Sequence, residues 1–220
     1  FSYFEKWCDP LNFLIRIPAS IADTIIALFL FLMVKKRSTF KVAFWTMLVY
    51  SANPAILLNT AYWGQTDAIH SLLLLLSIIC LVNNKPELSW CFLTLGVFTK
   101  PLTWPFIPII IFLTIRDYGW ARLPFCILIA IAGAVLTLFP FVYHHTLTRI
   151  ITRMINDLNL MPFISVNAHN IWWLGSFGPP WIPASNQLFQ VLSFKLIGII
   201  LFCVFYCFIF LNFFKIKDKE

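Results

Sequence analysis

The residues best suited to chemistry in this chain lie between two apolar runs, in Asn59-Thr60-Ala61-Tyr62-Trp63-Gly64-Gln65-Thr66-Asp67-Ala68-Ile69. An ionisable group inside a bilayer costs roughly 2.5–3.5 kcal/mol at mid-depth, so Gln65 and Asp67 at a helix entrance point to a polar cavity. The plainer reading is a connecting turn in which Asp67 caps or opens the next helix, where a negative charge meets the positive helix end.

Two further elements carry polar groups of the same kind. Lys100 follows an apolar half-helix and precedes Pro101, which sets its ammonium near the outer boundary, where a flexible point charge can bind a phosphate. Its alternatives are snorkelling to the interface or pairing with Asp67. The run Ser165-Val166-Asn167-Ala168-His169-Asn170 leads directly into Trp172 and Trp173. Asn167, His169 and Asn170 there are candidate binding groups, and the tryptophans alone suit an aromatic belt at the water–lipid boundary.

Asp23 is a second intramembrane carboxylate, expected to face the bundle interior and to hydrogen-bond across helices. His70, three residues after Asp67, reads as a satisfied helix residue rather than a metal ligand. Cys80, Cys91, Cys126, Cys203 and Cys207 fall in apolar segments, where a thiol behaves as a small hydrophobe. With no Cys-x-x-Cys pair and no metal-ligand spacing, the sequence makes no cofactor evident and leaves any divalent-metal requirement open.

These groups must be positioned by membrane helices. Of 220 residues, 60% are hydrophobic, 24 are Phe and 9 are Trp, while 11% are charged, which excludes a soluble domain. The net charge of +7 does not point to nucleic acid, because the basic residues cluster at the ends of apolar runs instead of forming one stripe.

Apolar runs approaching the roughly 20 residues of a spanning helix cover 15–34, 42–58, 68–82, 123–143 and 189–214. The region 88–115 reads as two short helices meeting at Lys100-Pro101, and Asn53-Pro54 should kink the second span. The fold class is therefore all-α, a polytopic transmembrane bundle of about seven spans with one broken helix pair. Residues 146–160 alternate apolar and polar groups at helical spacing and read as a helix in the outer interface. Residues 1–220 read as a single integral-membrane domain. If Lys35, Lys36, Arg37, Lys41, Lys85, Arg116, Arg122, Lys215, Lys217 and Lys219 face the cytoplasm, the polar elements share the opposite face.

The runs LNTAYWGQTDAIHSLLLLLS, LGVFTKP with prolines after it, and SVNAHNIWWLG, together with LIRIPASIADT, occur in that order over most of the chain. In this combination the chain resembles the GT-C superfamily, specifically relatives of the second mannosyltransferase of GPI-anchor synthesis. The resemblance implies an inverting transferase that moves a hexose, mannose above all, from a polyprenyl- or dolichyl-phosphate donor to an acceptor of unspecified identity. It implies a bacterial plasma membrane or the endoplasmic reticulum, with the active face away from the cytosol.

By resemblance, Gln65 and Asp67 become cavity groups, Lys100 the stabiliser of phosphate charge, and Asn167 and Asn170 hydrogen-bonders to sugar or phosphate. The family's catalytic carboxylate belongs to a first outer loop that has no counterpart before Arg16. The expectation is thus an interior or C-terminal part of a longer protein whose base lies ahead of Phe1, with Asp67 the lesser candidate, and a part inactive by itself. Two rivals stand beside this reading. One is a transporter or flippase for a lipid-linked or small polar substrate, since broken helices and buried polar groups also mark transport paths. The other is a non-catalytic subunit of a glycosyltransferase complex.

Overall fold

Helix α1 (Pro10–Lys35) begins with a proline, tolerated there because the first helical N–H has no partner in any case. Pro18 inside it removes one backbone donor, and in the next turns the hydroxyls of Ser20 and Thr24 donate to the carbonyls of Arg16 and Ser20 at 3.0 and 2.9 Å. This is a computed structural model, and it describes residues 10–157, 162–164, 171–175, 181–188 and 192–217.

Thr39 caps α2 (Phe40–Ser51), its hydroxyl accepting from the Val42 N–H. The helix stops where the sequence requires, at Asn53-Pro54. The Asn53 carboxamide oxygen then accepts the Ala55 N–H at 2.9 Å and starts α3 (Pro54–Leu57), which widens into a π-turn over Leu58–Tyr62. The two helical pieces differ in direction by 43°. A loop through Gly64, at φ +70°, leads into α4 (Asp67–Val82).

An Asn83–Asn84–Lys85 turn reverses the chain into α5 (Pro86–Thr99), with Asn84 in the left-handed region that asparagine tolerates. After a 3₁₀ turn, Pro101–Thr103, the chain reverses again into α6 (Phe106–Tyr118). Gly119, at φ +77°, ends that helix, and α7 (Leu123–Tyr143) follows. The two short helices expected to meet at Lys100 are thus present.

By contacts the chain divides into two units, Phe1–Pro140 and Phe141–Glu220. In the first, Ala19 and Ala22 of α1 pack on Ala68 of α4, all 5% exposed or less, so small side chains let the two backbones approach. A second core joins Leu81, Trp90, Leu93, Ile110 and Cys126 across α4 to α7. Its polar groups are paired: the Trp90 indole N–H donates to the Thr114 hydroxyl at 2.9 Å, and the Ser77 and Ser89 hydroxyls meet at 2.9 Å. Between membrane helices such bonds average about 0.6 kcal/mol, reaching about 1.7.

Contacts at the helix termini define two ends of this unit. At one end the Tyr118 hydroxyl donates to the Leu81 carbonyl, and Arg122 pairs with Glu87 at 2.8 Å. This end collects Lys85, Arg116 and Arg122, and α1 runs toward Lys35 in the same sense as α4. At the other end Gly64 lies against Arg16, where a Cβ would meet the Arg16 Cγ at 3.3 Å, and Asp67 meets Lys100. Lys85, Arg116 and Arg122 thus share one end of this unit, while Arg16 and Lys100 belong to the other.

The second unit contains α8 (Leu147–Asp157), strongly amphipathic as its spacing predicts, then α9 (Ile171–Gly175) and α10 (Phe194–Lys217). The all-α expectation is corrected here in a small way. Gln187–Leu188 and Leu192–Ser193 form a two-stranded antiparallel ladder, and Phe163 bridges Pro183. Trp172 packs edge-on against Phe194 at 5.5 Å, and Trp181 against Phe163 at 5.3 Å.

Among the described residues three helices are long and apolar enough to cross a membrane, within α1, α7 and α10, and the bent α2–α3 pair makes a fourth if it counts as one span. Their outward faces carry large hydrophobic side chains such as Phe125, Leu136 and Phe205, each at least 60% exposed, as lipid contact requires. The expected seven spans are not reached by this measure. With 16, 14 and 13 residues, α4, α5 and α6 are about 24, 21 and 20 Å long, short of a hydrocarbon core of about 30 Å.

Candidate functional site

The mouth opposite the basic end is built by three helix termini. The π-turn carries Asn59, α4 begins with Asp67, and α5 ends at Lys100, which is extended because Pro101 follows it. Gly96 makes that ending possible. Its carbonyl accepts the Lys100 N–H at 3.0 Å and the buried Thr103 hydroxyl at 3.2 Å, and a Cβ on it would meet the Thr103 methyl at 3.2 Å.

The Lys100 ammonium donates to Asp67 Oδ1, and the Asn59 carboxamide donates to Oδ2 at 3.1 Å. Both oxygens of the carboxylate are therefore engaged, one by a full charge. His70 Nε2 lies 3.7 Å from Oδ1, one helical turn along α4. The pair is only half-sequestered, the Lys100 and Asp67 side chains being 28% and 34% exposed, so the ammonium is within reach of an anion from outside the protein.

Of the readings open to Asp67 and Lys100, pairing with each other and an opening position on the helix are what the fold contains. Thr66 is the N-cap and Asp67 the first helical residue, where a carboxylate meets the helix dipole favourably. Gln65 lies in the preceding loop, exposed, with its backbone N–H on the Asn59 carbonyl at 3.0 Å, and its side chain is not brought into the pair. Asn167, His169 and Asn170 lie outside the described residues. His70 is not fully satisfied, because its Nδ1 is buried without a hydrogen-bond partner. Among the described residues, no three His, Cys, Asp or Glu side chains gather where one metal ion could be held.

A second polar locus lies deeper. Asp23 accepts the Tyr50 hydroxyl at 2.8 Å across the α1–α2 interface, so the bond expected of it across helices is made. The two residues line a half-open hollow of about 440 Å³ between α1, α2, α3 and the π-turn. It adjoins another of about 630 Å³ along α1, and the two share Ser20, Thr24 and Ala61. Neither is lined by Gln65, Asp67 or Lys100. Sequence reasoning found the acid but not its setting. The one signal for the hollow was the Asn53-Pro54 break, which bends the opposing helix away at this height.

Together, the apolar spans, the polar mouth and the charge-rich opposite end define an integral membrane protein built of helices. Comparison with family models, curated proteins and solved structures finds no match for the chain.

Proposed function

We propose that the chain is part of a membrane glycosyltransferase of the GT-C type, moving a hexose, mannose first, from a polyprenyl- or dolichyl-phosphate donor to an acceptor on the face away from the cytosol. The observation that supports this most is Lys100, an ammonium on a broken helix whose carboxylate partner can release it. An arriving lipid phosphate competes with Asp67 for the same donor. As the glycosidic bond to phosphate breaks, the growing negative charge on the leaving oxygen is met by an ammonium already in place. Asp67, with both oxygens accepting, is a poor proton acceptor and acts here by holding Lys100. In this reading Gln65, Asn167, His169 and Asn170 complete the donor pocket, the chain makes about seven crossings, and the basic end faces the cytosol.

Membranes carrying the protein, supplied with a radiolabelled lipid-phosphate mannose, test the reading. Transfer should fall at least tenfold in Lys100→Met and recover in part in Lys100→Arg. Unchanged transfer in Lys100→Met refutes the assignment.

One observation favours a second reading. A carboxylate facing a hollow beside a bent helix is also what a transport path contains. Vesicle uptake of a labelled sugar or lipid-linked sugar with no new glycosidic bond would select that alternative.

A further inference from the structure

Around Asp23 the hollow presents hydrogen-bond acceptors, and three of its hydroxyls have already given their protons within the protein. The Ser20 hydroxyl gives its proton to the Arg16 carbonyl, Thr24 gives its proton to the Ser20 carbonyl, and Tyr50 gives its proton to Asp23 Oδ1. Each of these three oxygens has only lone pairs left for whatever enters. Asp23 adds a carboxylate whose second oxygen is not used by Tyr50. The hydroxyls of Ser51 and Thr60 complete the polar wall and can turn lone pairs inward.

No basic side chain lines this hollow among the described residues. Arg16, two turns from Asp23 on the same helix face, belongs to the adjoining one. The rest of the wall is apolar: Ala27, Leu28, Met47, Ile56 and Leu57. A volume of about 440 Å³ lies in the range of organic-ligand sites and far exceeds a bare ion.

From this we infer that the hollow between α1, α2 and the π-turn is a binding site for an organic ammonium group, a primary amine carrying a short aliphatic or lipid body. A charged amine brings three donors to a wall of acceptors and supplies the positive charge that a carboxylate at this depth needs. A phosphate or carboxylate ligand would face the like charge of Asp23 and three hydroxyls whose protons are already given, and is disfavoured. The site is separate from Lys100, and its assignment does not depend on what that residue does.

The test uses the purified chain in phosphatidylcholine nanodiscs at pH 7, with n-octylamine as probe and n-octanol and octyl sulfate as controls, read by calorimetry. Octylamine should bind, and Asp23→Asn, which places an N–H where the acceptor was, should weaken it at least tenfold. Ala61→Leu, which narrows the same space and keeps the acid, should cause a comparable loss and serves if Asp23→Asn does not fold. Repeating the titration in discs containing phosphatidylethanolamine separates the sources. Weakened octylamine binding there means the lipid amine occupies the site, and unchanged binding means the site prefers a free amine. Failure of octylamine to bind, equal binding by Asp23→Asn, or octanol binding as tightly as octylamine would overturn the inference.

Discussion

Lys100 and Asp67, 33 residues apart, join the end of α5 to the start of α4 through an ammonium–carboxylate hydrogen bond at the unit's less basic mouth. Because both side chains are partly exposed, the pair contributes little to stability, and its removal should be felt in anion binding.

The first prediction follows from that exposure. Asp67→Asn should change unfolding free energy by no more than about 1 kcal/mol, the range of exposed ion pairs. It should also leave Lys100 freer, so a lipid-phosphate sugar binds Asp67→Asn at least as tightly as the wild type while binding Lys100→Met several-fold more weakly. Equilibrium binding in nanodiscs measures both, and weaker binding by Asp67→Asn would contradict the competition described.

The second concerns Gly96. Alanine there must push the Thr103 methyl by a few tenths of an ångström, a small cost, whereas leucine must displace the turn that carries Lys100. Gly96→Leu should lose at least 2 kcal/mol, within the overpacking range of about 1–3, and Gly96→Ala under about 1. Denaturation in mild detergent distinguishes them.

The third concerns the buried pair Trp90–Thr114. Thr114→Val keeps the shape and leaves an indole N–H unpaired in an apolar core, and should cost about 1–3 kcal/mol, while Thr114→Ser should cost less. Equal stability of the two variants would show that the hydrogen bond carries no weight.

A fourth addresses orientation. On a background without native cysteines, Thr66→Cys and Lys85→Cys should react with an impermeant thiol reagent from opposite sides of sealed vesicles, with Lys85→Cys on the cytosolic side. Labelling of both from one side would exclude the arrangement.

The sequence was most legible where proline and charge decide. Lys100-Pro101 ends α5, Asn53-Pro54 bends the α2–α3 pair, and the apolar–polar spacing in 147–157 makes a helix with two unlike faces. Less visible was anything set by packing between distant segments. Tyr50 meets Asp23 across 27 residues, and nothing local in either segment announces the other. Span count is only partly legible, because apolarity alone does not record where a helix stops: among the described residues three helices, or four with the bent pair, have the length to cross. The end of α6 at Gly119 and the turn at Asn83–Asn84 cut three apolar stretches below bilayer thickness. At the site, the pairing of Lys100 with Asp67 was one of several open readings, and only the fold selects it.

The contact of Ala19 with Ala68, reinforced by Gly64 against Arg16, fixes a matter of parity. Phe40 meets Phe31 near the end of α1 and Tyr50 meets Asp23 two turns earlier, so the segment that follows α1 runs back along it toward the level where α4 begins. The bent segment from Phe40 to Tyr62 therefore carries the chain from the Lys35 end of α1 back to the level of Arg16 and Ser20, which Ala61 adjoins, hinge included.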